Sequence, residues 1–367
     1  MRNIIIPRPL HIVLDDMGWM SGKDDRENGG PSRLGIKRQP CYKDYLAINE
    51  LGKRIGMKIT CAFVLGEWDP DNRLGSIRGL SKYKENWNNA AYLNREELAR
   101  CIDTVKKCEY IDLAVHGLLH GYYIEGTDNT DESDFYYHKN DRLFMVDEAE
   151  IRARLDAYFD LLKFYGIDKK ITTFVPPSFS YRFNELSEIL KSYGIKYVST
   201  IFENMENRAD REIADVEQNG IINIDRNLNP IEWDEFASDF SKLPQNITGV
   251  LGIHWPNLLS EDENQNGEVI SRAAEFFLRC SESFGTILSR NIEFCANQSL
   301  FYRFAKAEQN ESETVIDIGT LDMNKTYYIS SKERVRSVSG ADICVFEEKQ
   351  SFITYALTPK AEKIILK

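Results

Sequence analysis

The chain has 367 residues, of which 42% are hydrophobic and 28% are charged, and its formal net charge is -12. A chain of this length and composition can bury the core of one large domain, or of a large domain and a small one. The acidic balance argues against a nucleic-acid partner, because phosphate binding needs a basic face and no cluster of Lys and Arg stands out.

From residue 10 to about residue 300, short apolar segments alternate with polar loops and with helical patterns. This alternation predicts an α/β fold whose parallel strands are buried on both faces, either closed into a barrel or arranged as an open sheet. The predicted strands cover residues 11–15, 58–65, 110–115, 171–175, 195–200, 220–224 and 248–253. The predicted helices cover residues 42–56, 94–108, 147–166 and 184–194.

The last 60 residues have a different pattern. After a helix that ends near Ala307, short alternating segments are separated by turn residues, and no helical period is visible. We therefore predict two domains. Residues 1–308 form the α/β domain, and residues 309–367 form a small, β-rich, sandwich-like domain.

No uninterrupted apolar run is long enough to cross a bilayer, and the N-terminal MRNIIIPRPL lacks the long apolar segment and cleavage site of a signal peptide. We therefore expect a cytoplasmic protein with no membrane partner, although a secreted protein trimmed of its export signal would look the same. The seven cysteines show no CxxC spacing, which indicates free buried thiols instead of disulfides or a thiolate zinc site.

Polar side chains follow four of the predicted strands at the point where each strand ends. In parallel α/β folds, ligands bind beyond these carboxyl ends. Three of the five histidines and two consecutive acids are therefore expected at one edge of the sheet. The polar endings are Asp15 with Asp16, His116 with His120, Pro176 with Pro177, and His254.

Two histidines and one aspartate form a natural ligand set for a divalent metal, and catalytic sites leave a further position for water. The spacing in HGLLH (residues 116–120) puts both imidazoles on one face of a helical turn, while Gly117 and Gly121 permit a tight irregular turn. The HxxxH pattern alone fits two hydrogen-bonded loop histidines equally well.

Adjacent strand residues point to opposite sides, so Asp15 and Asp16 cannot be equivalent ligands unless the strand has already ended. The simplest expectation is that one carboxylate binds metal and its neighbour acts on the water. A solvated acidic pair or a helix cap is the alternative for these two residues. His254 fits a buried core histidine as well, but we favour a site because a fourth polar group reaches the same edge.

These segments resemble the polysaccharide deacetylases of carbohydrate esterase family four, whose domain is a distorted parallel α/β barrel. The match covers roughly residues 10–300, and its four motifs stand in the family's order. The matching segments are VLDD (13–16), HGLLH (116–120), FVPP (174–177) and LGIH (251–254).

The resemblance implies that Asp16, His116 and His120 hold one divalent metal, with zinc as our first choice and cobalt or nickel as competitors. It also implies a metal-dependent deacetylase that acts on an N-acetyl or O-acetyl carbohydrate. In that scheme the metal polarises the carbonyl and its bound water, Asp15 takes the water's proton as general base, and His254 protonates the leaving group as general acid.

Three departures from the family pattern indicate a divergent member. Val175 stands where the family has an arginine that orients the catalytic base, and Arg182 replaces it only if its loop folds back. Gly117 follows the first metal histidine, and the family's Asp-Trp segment is not recognisable in residues 199–204. Two alternatives therefore stay open. One is a non-catalytic carbohydrate-binding protein, and the other is a hydrolase of a non-carbohydrate C–N bond.

Three long loops, residues 18–40, 66–92 and 121–144, are expected to overhang the site. Flat side chains in or beside such loops offer surfaces to sugar rings, although loop aromatics also pack loops onto their own domain. The predicted substrate-binding residues are Trp19, Trp68, Pro177 and Trp255.

Overall fold

The protein is seen here in a computed structural model. It describes residues 3–20, 38–81, 83, 86–126, 133–202, 213–228, 230–232, 235–244 and 246–367. Most of the predicted loop 18–40 therefore lies outside the described residues. Among the helices of the described ranges, none is both long enough and apolar enough to span a membrane.

Strands and helices alternate through the first 300 residues, as the sequence predicts. The strands are β1 (Ile4–Ile5), β2 (Arg8–Met17), β3 (Ile59–Phe63), β4 (Ile111–Val115), β5 (Tyr136–Lys139), β6 (Arg142–Met145), β7 (Thr173–Phe174), β8 (Tyr197–Thr200), β9 (Val216–Gln218), β10 (Ile221–Asp225), β11 (Gly249–His254) and β12 (Thr286–Leu288). The helices are α1 (Tyr42–Ile55), α2 (Arg95–Lys107), α3 (Glu148–Phe164), α4 (Phe183–Ser192), α5 (Asn266–Ser281) and α6 (Ile292–Phe304). All seven predicted strands and all four predicted helices are confirmed within a few residues.

Nine strands form one sheet in the order β11-β2-β3-β4-β7-β8-β10-β9, with β12 paired to β2. The pairs are parallel except for β9 with β10. The predicted α/β class is thus confirmed. A separate hairpin of β5 and β6 lies outside this sheet.

The two ends of the parallel run meet at one residue beyond β10. Leu228 N donates to Val250 O at 3.2 Å, and Gly252 N donates to Leu228 O at 2.9 Å. This contact is an isolated bridge and not a pair of strands. The sheet therefore curls until its ends touch, without continuous strand pairing at the seam.

The two faces of the sheet bury different clusters. Leu10, Ile12 and Leu14 of β2 belong to the large core that the sheet shares with α1, α2, α3, α4 and α5. Val13 lies on the opposite face, in a smaller cluster with side chains of β3, β4, β10, β11 and α6. Because strand residues alternate, Asp15 lies on the same face as Val13.

The C-terminal region is all β. Two four-stranded antiparallel sheets, in the orders β1-β15-β18-β17 and β13-β14-β19-β16, enclose a separate apolar cluster. Their strands are β13 (Lys306–Gln309), β14 (Thr314–Asp317), β15 (Tyr327–Ser331), β16 (Val338–Ser339), β17 (Ala341–Glu348), β18 (Ile353–Pro359) and β19 (Lys363–Leu366).

The predicted domain boundary at residue 308 falls inside β13, and β1 of the N-terminus pairs with β15 of the C-terminal region. Gln298 of α6 joins the two regions. Its Nε2 donates to Pro7 O at 2.9 Å and to Tyr328 O at 3.0 Å, and its Oε1 accepts from Tyr328 N at 2.9 Å. The division at residue 308 stays a prediction.

Candidate metal centre

Strand β2 ends in a bulge that changes the direction of its last side chains. The pairing with β3 shifts register between Leu14 and Met17, and Asp16 has a φ of 61°. Bulges break the strict alternation of strand residues, and Asp tolerates the left-handed region better than most residues. The side chains of Asp15 and Asp16 therefore need not point to opposite faces of the sheet, and both can reach the same edge.

The HGLLH segment after β4 is an irregular loop and not a helical turn. The buried carboxylate of Asp134 accepts from the backbone N of Leu118 at 3.1 Å, of Leu119 at 3.4 Å and of His120 at 3.0 Å. Gly117 has a φ of 98°, and a Cβ there would collide with the Asp134 carboxylate. The sequence interpretation missed Asp134, which lies in an acidic stretch without a distinguishing pattern.

The structure brings the three predicted metal ligands together. Asp16 Oδ1 lies 3.5 Å from His116 Nε2 and 3.6 Å from His120 Nε2. The two imidazole Nε2 atoms are 3.2 Å apart. One ligand atom from each residue falls within 4.8 Å of the others. Convergence of two imidazoles and a carboxylate is the arrangement expected of a site for a divalent cation.

His116 is oriented by the strand next to its own. Its Nδ1 lies 2.6 Å from Val175 O, and since a carbonyl only accepts, Nδ1 carries the proton and donates. The lone pair of Nε2 is then directed toward Asp16 and His120, as in protein sites where a backbone carbonyl fixes the tautomer of a metal-binding histidine. The side chain of Val175 is itself buried among apolar residues.

The charges of the centre favour an ionised Asp16. Burial acts to raise the pKa of Asp16, but the neighbouring imidazoles of His120, His116 and His254 outweigh it and hold the pKa well below its usual range. Burial acts to lower the pKa of His116, but the neighbouring carboxylates of Asp16 and Asp15 raise it above the ordinary value. Asp16 is therefore favoured in its negatively charged form.

The donor set fits a divalent cation. Asp16 Oδ1 is buried and accepts no hydrogen bond from the described part of the chain, while two imidazole Nε2 atoms face it. A cation between them would satisfy all three atoms. Nitrogen and oxygen donors of this kind suit zinc, and cobalt and nickel compete for them.

His254 lies at the same edge, at the end of β11 and in register with Asp15. Its Nε2 is 3.5 Å from Asp16 Oδ2, and its side chain is 17% exposed. Asn257 Oδ1 accepts from the backbone N of His254 at 2.8 Å and fixes the turn that follows. A partly exposed histidine beside the acidic pair does not match the alternative of a fully buried core histidine.

The charge partner of Asp15 follows β10, a predicted strand whose carboxyl end was not included among the polar strand endings. Arg226 Nη1 donates to Asp15 Oδ2 at 2.8 Å, and both side chains are buried. Arg182, the substitute suggested by the sequence, forms an ion pair with Glu185 at 3.3 Å. Arg226 directly follows the apolar strand β10, so the strand-end rule used for the other residues would have found it.

The predicted sugar-stacking role of the tryptophans needs correction. Trp19, Trp68 and Trp255 are exposed by 1%, 0% and 0%, so they offer no open face to a sugar ring. Trp68 Nε1 donates to Gly18 O at 2.7 Å, and Trp255 packs on Tyr45 with ring centroids 5.3 Å apart. Pro177 is buried as well. The structure favours the alternative in which these residues pack loops onto the sheet.

No protein-family model matches the chain, and no curated protein matches it. Among solved structures, it is similar to a mutant of a CE4 family pseudoenzyme with restored enzymatic activity, at 13% identity and a TM-score of 0.40, over 80% of this chain and 68% of that one. It is also similar to a family 4 carbohydrate esterase from Bacillus anthracis, at 11% identity and a TM-score of 0.35, over 80% and 84%.

A third solved structure, a GH57-type branching enzyme from the hyperthermophilic archaeon Pyrococcus horikoshii, matches at 12% identity and a TM-score of 0.40, over 78% of this chain and 69% of that one. The solved structures that resemble this chain thus include members of carbohydrate esterase family four, the family that the sequence resembles.

Proposed function

We propose that this chain is a metal-dependent hydrolase that removes an N-acetyl or O-acetyl group from a carbohydrate, on a curled sheet that represents a distorted barrel. One observation carries the proposal. Asp16, His116 and His120 converge within 4.8 Å, and the carboxylate of Asp15 and the imidazole of His254 lie at the same edge of the sheet. A ligand set beside a separate acid and base is the arrangement that acyl hydrolysis requires.

A divalent cation held by Asp16, His116 and His120 would supply a Lewis acid for the acyl carbonyl. Asp15 is the group suited to accept a proton from the attacking water. Its Oδ2 is occupied by Arg226, while its Oδ1 has no hydrogen-bond partner among the described residues. A buried carboxylate with one oxygen held by an arginine and the other without a hydrogen-bond partner is suited to act as a general base.

His254 is the group suited to donate a proton to the leaving nitrogen or oxygen. Its Nε2 lies on the Oδ2 side of Asp16, and its side chain is partly open to solvent, so a substrate is able to approach it. As the oxygen of water bonds to the acyl carbon, the bond from that carbon to the leaving group breaks. Asp15 takes up one proton and His254 gives one, which yields acetic acid, which then ionises to acetate, and a free amine or alcohol.

A carbohydrate substrate agrees with the net charge of -12, which suits a neutral or cationic ligand better than an acidic one. Burial of the three predicted tryptophans nevertheless removes the surfaces expected to stack on sugars. That observation favours a second candidate, hydrolysis of a non-carbohydrate C–N bond at the same site.

Acetate release by the zinc-loaded chain, measured over a panel of N-acetylated and O-acetylated sugars, tests the proposal. We expect turnover that falls by about 10²- to 10⁴-fold in Asp15→Asn, because a general base contributes on that scale. Asp141→Asn is the matched control, since it makes the same change in the exposed turn after β5 and should leave turnover unchanged.

Two results would count against this function. Turnover that survives in Asp15→Asn would remove the general base from the scheme. Wild-type protein that hydrolyses none of the acetylated sugars with zinc, cobalt or nickel would exclude the carbohydrate deacetylase, and opening of cyclic amides in the same assay would support the second candidate.

A further inference from the structure

Arg226 is buried beside Asp15 at the seam of the curled sheet. The exposed fractions of the two side chains are 0% and 4%, and Arg226 Nη1 lies 2.8 Å from Asp15 Oδ2. The ion pair joins two residues that are 211 positions apart in the sequence. It therefore links β2 to the segment after β10, where Leu228 bridges to β11.

The guanidinium rests on Gly252 of β11. A Cβ on Gly252 would collide with Nη2, Nε and Cζ of Arg226, so the space left by the missing side chain is the space that the guanidinium fills. Phe179 lies over the guanidinium, with 5.4 Å from Cζ to the ring centroid. Gly252, two residues before His254, thus leaves the space that the arginine side chain occupies.

Stability alone does not explain this arrangement. Within the described residues, Nε and Nη2 of Arg226 are buried and have no hydrogen-bond partner, so Asp15 is the one polar group that the guanidinium contacts. A buried charge with unsatisfied donors costs more free energy than an apolar side chain of similar size. A cost of this kind is characteristic of groups retained for a site.

We propose that Arg226 is the positioning residue of Asp15, and that Gly252 is required to seat it. The inference rests on the proposed function. By holding Oδ2, Arg226 fixes the carboxylate so that Oδ1 is left for the attacking water. From the segment after β10, Arg226 provides the positive charge that the family's arginine would provide at the position of Val175. Because Arg226 is fully buried, it acts through Asp15 and does not contact the substrate.

The test uses Arg226→Met, Arg226→Lys and Gly252→Ala in the zinc-loaded full chain. We expect Arg226→Met to lower kcat by about 10- to 100-fold, with KM and zinc content nearly unchanged. Losses of this size are typical of residues that orient a functional group without contacting the substrate. Arg226→Lys should recover part of the loss because it keeps the charge. Gly252→Ala should resemble Arg226→Met, since its methyl group displaces the guanidinium without removing a polar group.

Two controls separate positioning from general damage. Arg182→Met removes the arginine that the sequence suggested, and Gly267→Ala adds a methyl group where no heavy atom lies within 4 Å. Both should keep the wild-type kcat. In an Asp15→Asn background, Arg226→Met should cause no further loss. A further loss as large as in the wild type would overturn the proposal.

Wild-type turnover is measured first, so that failure of the proposed function is recognised separately. Without turnover, thermal unfolding tests the pair. Arg226→Met should lower Tm in the wild type, where it leaves Asp15 buried and unpaired, and should lower it less in Asp15→Asn, where the cation has already lost its partner. Equal losses of Tm in both backgrounds would contradict the pairing and overturn the inference.

Discussion

Asp15 and Asp16 are neighbours in the chain with different surroundings. Asp15 is held by one buried arginine, whereas Asp16 faces the imidazoles of His116, His120 and His254 at 3.5 to 3.6 Å. The left-handed φ of Asp16 produces this difference, because it turns the second carboxylate at the end of β2 toward the histidines. Backbone conformations that most residues avoid are typical of functional sites. Here a single such residue separates the proposed proton acceptor from the proposed metal ligand.

His11 lies on the same strand but has no place in the site. It is fully buried, and its Nε2 lies 2.8 Å from Thr60 Oγ1 of β3. Burial lowers its pKa from the ordinary 6.5 to about 3. Between these two pH values the unfolded chain binds a proton that the folded chain does not, so the free energy of unfolding decreases as the pH falls below 6.5.

We predict that His11→Gln weakens this pH dependence. A single site of this kind contributes about 1.4 kcal/mol per pH unit, so the wild type should lose about 2 kcal/mol between pH 6.5 and pH 5 through His11 alone. Urea unfolding at pH 7, 6 and 5, with chelator present throughout, measures both proteins. His138→Gln, in the hairpin of β5 and β6, is the control. Equal slopes for wild type and His11→Gln would show that His11 is not held neutral by the fold.

The HGLLH segment after β4 is the element on which the proposed metal centre depends. The carboxylate of Asp134 accepts hydrogen bonds from three backbone N–H groups of the HGLLH segment, and Gly117 leaves room for it. Charge-assisted hydrogen bonds to backbone N–H groups are among the strong ones in proteins. The position of His120 is thus set by a residue 14 positions further along the chain.

We predict that Asp134→Ala destabilises the fold and loosens the centre. Loss of the carboxylate leaves buried N–H groups unpaired, which should cost about 3 kcal/mol in the free energy of unfolding. Zinc affinity should fall about 10-fold, because His120 is no longer fixed. Urea unfolding and zinc titration measure the two effects. Asp134→Asn should lose less, and Asp160→Ala, an exposed position of α3, should change neither. Unaltered zinc affinity in Asp134→Ala would show that Asp134 does not fix the metal ligand His120.

Local patterns were sufficient to predict the elements and the edge that holds the site. Buried parallel strands appear as apolar runs and amphipathic helices as three- and four-residue spacing, so β2, β4 and β11 were found from sequence, and the residues at their ends followed. The bulge at Asp16 was not predictable, because bulges depend on the register with β3. The sequence raised the question of a partner for Asp15. Arg226 satisfies the strand-end rule because it follows β10, but its contact with Asp15 depends on how the sheet curls, which the sequence does not show.

Burial of the loop residues was equally hidden from the sequence. Trp68 occupies a long polar loop, where an exposed sugar platform and a packed core residue have the same local pattern. Only the contacts with Tyr45 and Phe63, at centroid distances of 6.4 and 5.8 Å, place it in the core. Asp134 shows the same limitation, since its acidic neighbours in the sequence are equivalent until one of them turns inward.

The N-terminal strand β1 belongs to a sheet of the C-terminal region, and the α/β sheet begins with the next strand, β2. Strand β1 pairs with β15, and β2 follows within three residues and carries Asp15 and Asp16. Phe301 of α6 stacks on Tyr327 of β15 with ring centroids 4.6 Å apart. The C-terminal β region therefore contacts both β1 and α6.

We predict that residues separated by about 100 positions along this chain form one cation site. Anomalous scattering at the zinc edge, from crystals of the full chain grown with zinc, tests it most directly. We expect a strong peak between Asp16 Oδ1 and the Nε2 atoms of His116 and His120, and we expect His116→Ala to abolish it. Ordered side chains in these positions with no peak between them, or a peak that remains in His116→Ala, would contradict it.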